Sequence, residues 1–181
     1  TLGLPSFRVG TMAYDLPWVT TETSRATDRY VLGAEGDFDL FSKNWKWDAY
    51  AQFGKTSGRA YTHNARINSR FTQAMDAVTG PNGTIVCRST LTNPNNGCRP
   101  FNPMGTGVND QATLDYVLGT ANSYQEVKQD VYAASVTGTP FDNWAGPVSV
   151  ALSAEHRKEH ALVEPDAIAR VSGWHSGNHQ P

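Results

Sequence analysis

The sequence predicts a mainly β chain of antiparallel hairpins, interrupted by one long loop that carries short helices. Three observations lead there. The stretch NWKWDAYAQFGKT, Asn44 to Thr56, alternates apolar and polar residues at the two-residue period of a strand. Such alternating runs come in two pairs, each joined by a few polar or turn-forming residues, as in hairpins. Between the pairs, Ser57 to Tyr124 is far longer than a hairpin loop and holds two helical stripes.

In chain order, SFRVGTMAYDLPWV (Ser6 to Val19) offers a further strand, and TTETSRATD reads as a polar loop. The first hairpin covers about 29–56. Its first run, RYVLGAEGDFDLF, sets Tyr30, Leu32, Ala34 and Phe38 against Val31, Gly33, Glu35 and Asp37. Its second puts Trp45, Trp47, Ala49, Ala51 and Phe53 on one side, opposite Lys46, Asp48, Tyr50, Gln52 and Gly54. In the long loop, about 57–124, NSRFTQAMDAV groups Phe71, Ala74, Met75 and Val78 on one helical face. NDQATLDYVLG starts at a capping Asn109, groups Leu114, Val117 and Leu118, and stops at Gly119. The second hairpin, about 125–160, joins QEVKQDVYAASVTG to PVSVALSAEHRKEH through the compact turn TPFDNWAG. Val148, Val150, Leu152 and Ala154 share a face there. Residues 161–181 read as a C-terminal loop.

Of the 181 residues 39% are hydrophobic and 18% charged, with 16 Gly and 10 Pro, so a large aliphatic core is not the organising feature. The formal net charge of -2, with no basic stripe, argues against a nucleic-acid partner. No apolar run approaches the roughly 20 residues of a spanning helix. The N-terminus has no secretory leader, which fits a cytosolic chain, a processed one, or one cut from something longer. Cys87 and Cys98 bracket the turn-rich CRSTLTNPNNGC, a spacing that suits one local disulfide and an oxidising compartment, ahead of free thiols or half of a zinc site.

Alternation alone does not choose between a soluble sandwich and a bilayer. The polar faces carry Glu35, Asp37, Lys46, Asp48, Gln52, Glu155 and Arg157, which are costly in a dry core and at home in a wet lumen. The apolar faces are small residues bracketed by aromatics, and short connections alternate with a long one, as in outer-membrane barrels. Trp45, Trp47, Tyr132 and Trp144 are therefore read as membrane-interface aromatics rather than a sugar-stacking platform.

The segments WKWDAYAQFGKT, RFTQAMDAVTGPNGTIVCRSTLTNPNNGCRPFNPMGTG, ATLDYV and FDNWAGPVSVALSAEHRKE resemble, in order, the barrel region of TonB-dependent receptors. That resemblance spans most of Tyr30 to Glu159 and implies gated import of a scarce nutrient of the siderophore, vitamin or oligosaccharide class across the outer membrane. The family's plug domain, TonB-contacting segment and terminal aromatic strand have no counterpart in these residues, which implies an internal barrel fragment that meets TonB only through absent regions. Four to six strands leave open edges, which hydrocarbon does not tolerate. The rest of the barrel or other copies of the chain are the expected partners, beside outer-membrane lipid.

No nucleophile elbow or phosphate loop occurs, so neither catalysis nor a cofactor is expected. His156 with His160, and His175 with His179, are spaced for a helix, yet the first pair ends a strand; no metal site is expected. Ligand contacts are placed in the long loop, at Arg88, Arg99, Phe101 and Asn102 beside the cysteines. The competing readings are a structural protein that self-assembles through its strand edges into an extracellular polymer, and a soluble binding sandwich.

Overall fold

The computed structural model describes residues 14–175. Four long strands form one antiparallel sheet in the order β1-β2-β5-β6: β1 (Thr20–Leu40), β2 (Lys43–Arg66), β5 (Leu118–Asn143) and β6 (Gly146–Pro165). The sheet is open, with β1 and β6 at its edges. Residues 67–117 connect β2 to β5 and contain α1 (Asn68–Met75), the small β3 (Ala77–Thr79) and β4 (Ile85–Cys87) hairpin, and α2 (Gln111–Val117). Two compact units result: one of residues 14–23, 60–123 and 165–175, the other of Ser24–Arg59 and Tyr124–Glu164.

The two hairpins close on tight turns. Phe41 and Ser42, both left-handed at φ 56° and 58°, join β1 to β2. Two positive φ angles in succession give the turn whose twist matches that of the flanking strands. Trp144 and Ala145 join β5 to β6, the Ala145 amide donating to Asn143 Oδ1 (2.9 Å) and Gly146 adopting φ 128°. The expected TPFDNWAG turn is thus mostly strand.

The hairpins are longer than their alternation foretells. TTETSRATD is not a loop but the start of β1, and β2 runs on to Arg66. β5 begins at Leu118 and β6 ends at Pro165, so the connecting excursion shrinks to residues 67–117. The additions to β1 and β2 are largely polar on both faces, where periodicity has little to report. Of the expected N-terminal strand, residues 6–13 lie outside the described residues and 14–19 are turn and coil. In the expected C-terminal loop, residues 161–165 belong to β6 and Ala169–Val171 form a 3-10 turn, while His179 lies outside the described residues.

Within the first unit, most buried apolar residues fall in two small clusters. Ala65, Ile67, Ala121, Ala169 and Trp174 form one; Ala74, Phe101 and Val117 form the other, with Phe71 and Leu114 against them. Helix α1 ends at Met75, and Val78 moves into β3. The cap of α2 is Asp110, whose Oδ1 accepts from the Thr113 amide at 2.7 Å, and not Asn109. Asn109 is engaged elsewhere: its amide and side chain donate to Asp15, which also accepts from Gly107 (2.5 Å) and Val108 (3.0 Å). These bonds hold the Asp15 carboxyl below its usual range, the Asn109 side chain contributing most.

Cys87 and Cys98 are joined in a disulfide. Cys87 is fully buried at the end of β4, so the crosslink anchors the loop 88–97 to the β3–β4 hairpin.

Candidate functional site

The second unit presents two chemically different faces, and side-chain contacts identify which residues share each. On one face Phe38 stacks on Trp45 (6.5 Å between ring centroids), and Trp47 Nε1 lies against Gly36. Further along, Phe53 meets Tyr132 edge-on at 5.8 Å, and Tyr132 stacks on His156. Between these two aromatic levels runs a shallow trough of about 710 Å³, lined by Leu32, Ala34, Ala49, Ala51, Ala134 and Ala154 among others. Most of its side chains are alanines, with the Tyr132 and His156 rings also lining it.

From Trp45 to Phe53 the apolar band measures about 26 Å at roughly 3.3 Å per residue. Charge resumes beyond both limits. Past the tryptophans, Lys43 pairs with Asp142. Past Phe53 and Tyr132, Glu126 accepts from Lys128 (2.7 Å), Lys55 (2.9 Å) and the Tyr124 hydroxyl (2.9 Å). The Arg59 guanidinium stands over the Tyr124 ring at 5.7 Å. This cluster escaped the sequence reading; the signal available was Glu-x-Lys on one strand face beside a lysine of the next strand.

The opposite face is polar. Arg29 donates to Gln52 Oε1 (2.5 Å), Gln52 to Gln129 Oε1 (3.3 Å), and Gln129 to Glu159 Oε1 (2.8 Å). Arg157 then bridges Glu159 and Glu155. The result is one hydrogen-bonded row across all four strands. Ser135 donates to Asp48 nearer the turns. A carboxamide row of this kind satisfies its members internally while leaving lone pairs and protons for water.

The four expected interface aromatics separate by level. Trp45 and Trp47 lie at one limit of the band, Tyr132 at the other, and Trp144, 99% exposed, stands in the β5–β6 turn. The expected ligand residues are each engaged within the connecting segment. Phe101 is 4% exposed and packs on Phe71 at 5.2 Å, so it is a core residue. Arg88 is held bidentate by Asp76 (3.1 and 3.0 Å), and Arg99 lies 3.7 Å from Asp110. Asn102 is occupied with its own loop, its amide donating to Asn109 Oδ1 and its Oδ1 accepting from the Met104 amide. Among the described residues no group of three or more His, Cys, Asp or Glu could hold a metal ion.

No protein-family model matches the sequence, and no curated protein matches it at a significant level.

Proposed function

We propose that Ser24–Arg59 and Tyr124–Glu164 form part of the wall of an outer-membrane β-barrel, in a receptor of the TonB-dependent type that imports a scarce nutrient. One observation carries the reading: a band of short apolar side chains about 26 Å along the strands, bounded by aromatics and then by ion pairs, on the reverse of a continuous polar row. An outer-membrane barrel has an apolar band about 25 Å tall between aromatic girdles, with a polar interior; at a strand tilt of about 35–45°, about 26 Å of strand covers about 20 Å of that height. A sandwich core would instead demand large interdigitating side chains and a second layer. The receptor assignment itself comes from the resemblance of the strand and loop motifs.

In this reading Trp45, Trp47 and Tyr132 sit where protein meets headgroups, and the row from Arg29 to Glu159 lines hydrated space. Further receptor strands or other copies of the chain complete the wall. The unpaired edges of β1 and β6 equally favour a second reading, an extracellular polymer built edge to edge.

Tryptophan quenching by brominated lipids separates them. Chain refolded into vesicles is expected to show quenching of Trp45 and Trp47 fluorescence, isolated by Trp→Phe changes elsewhere, by bromines near the headgroups. Unquenched tryptophans and ordered particles without detergent would reject the membrane reading.

A further inference from the structure

We propose that β6 of one copy of this chain pairs antiparallel with β1 of a second copy, with Glu159 set against Arg29. The inference rests on the two-sided wall and not on the receptor assignment.

Direction is the first argument. Four consecutive antiparallel strands leave β1 and β6 running oppositely, so the β6 edge of one copy continues the alternation when laid beside the β1 edge of another. The two edges also match in extent, at 21 and 20 residues.

The second argument is charge. The hydrogen-bonded row that crosses the sheet ends in a guanidinium at the β1 edge and a carboxylate at the β6 edge. Neither terminal group is consumed by the row. Arg29 donates one of its five N–H groups to Gln52; Glu159 Oε1 accepts from Gln129 at 2.8 Å and lies 3.9 Å from Arg157, with lone pairs remaining for a second guanidinium. Placing one edge beside the other joins the ends of two rows through a salt bridge.

Register is the third. Counting outward from Arg29 opposite Glu159, antiparallel pairing puts Leu32, Ala34, Gly36 and Phe38 opposite His156, Ala154, Leu152 and Val150. The apolar band therefore continues across the junction. Asp28 falls opposite His160 and diagonal to Lys158; from Arg25 to Leu40 no residue stands directly opposite a like charge, while Arg29 is diagonal to Arg157 and Glu35 to Glu155. A slip by one residue would turn the band to the polar side. Because the interface uses two different edges, repetition gives a ring where rotation closes it and a filament where it does not.

Cysteine cross-linking tests the pairing, since both native cysteines are already joined. Thr27→Cys in one copy and Ala161→Cys in another face each other in this register. Mixed in detergent micelles and oxidised, they are expected to give a dimer on a non-reducing gel, which Thr27→Cys with Ser153→Cys does not. Adding Arg29→Glu to the first copy should lower the yield roughly fivefold, and Glu159→Arg in the second should restore it. Failure to cross-link, equal yield with Ser153→Cys, or no restoration by the reversed pair would overturn the proposal. Vesicle-bound chain with quenched tryptophans that does not cross-link in this register would sink the pairing and spare the membrane reading; cross-linking in plain buffer would do the opposite.

Discussion

The indole of Trp45 lies across Gly138: a Cβ built on that glycine would overlap Cδ2 and stand 2.6 Å from Cε3 of the ring. The missing side chain gives the tryptophan its seat between strands. Gly138→Val is expected to unseat it and to destabilise the sheet by about 1–3 kcal/mol, the usual cost of overpacking. Denaturant titration read by Trp45 fluorescence measures both effects, and an unchanged midpoint would show that the ring is not held there.

Leu152 and Ala151 are chain neighbours on opposite faces, and both are exposed. If the Leu152 face meets lipid, Leu152→Arg costs about 2–4 kcal/mol of folding into bilayers, as arginine does near the midplane of a barrel exterior. Ala151→Arg, on the polar face, should fold nearly as the parent does. Equal behaviour of the two variants in vesicles contradicts the two-media sheet.

Loss of the Cys87–Cys98 bond frees a short loop, and removing such a crosslink typically costs about 2–4 kcal/mol. The double replacement Cys87→Ala, Cys98→Ala should expose residues 88–97 to protease. Strands β1, β2, β5 and β6 should keep their circular-dichroism signal.

Asp15 fastens residues 107–109 through four hydrogen bonds. Its carboxyl titrates below the ordinary value of 3.8 in the folded chain. The stabilisation is therefore complete above that ordinary value and disappears as pH falls through the lowered one. Amide exchange at Gly107, Val108 and Asn109, corrected for intrinsic rate, should lose protection in that acid window. Asp15→Asn should show weak protection already at neutral pH.

What could be read in advance followed from where side chains meet two different surroundings. Trp45 to Phe53 alternate because one side is apolar and the other wet, and the strand is plain in the sequence. Thr20–Asp28 and Ser57–Arg66 are equally strand, yet carry polar residues on both faces; only their threonines and tyrosine hinted at β structure. The burial of Phe101 was not legible because the surrounding Arg, Asn and Pro suggest a surface loop, whereas Ala74 and Val117 supply a pocket from distant positions. Asn109 and Asp110 are both plausible caps by residue type, and Asp15, nearly a hundred positions away along the chain, decides between them. The row from Arg29 to Glu159 depends on cross-strand register, which no single run contains.

The Phe41–Ser42 turn leaves the first hairpin no slack. With two left-handed residues and nothing more between β1 and β2, adding or deleting one amino acid there would shift the parity of every residue that follows in the ribbon. Trp45 and Trp47 would trade places with Lys46 and Asp48, turning the ribbon inside out. Length changes should thus be lethal to assembly at this tip, while the excursion between α1 and α2 has room to absorb them.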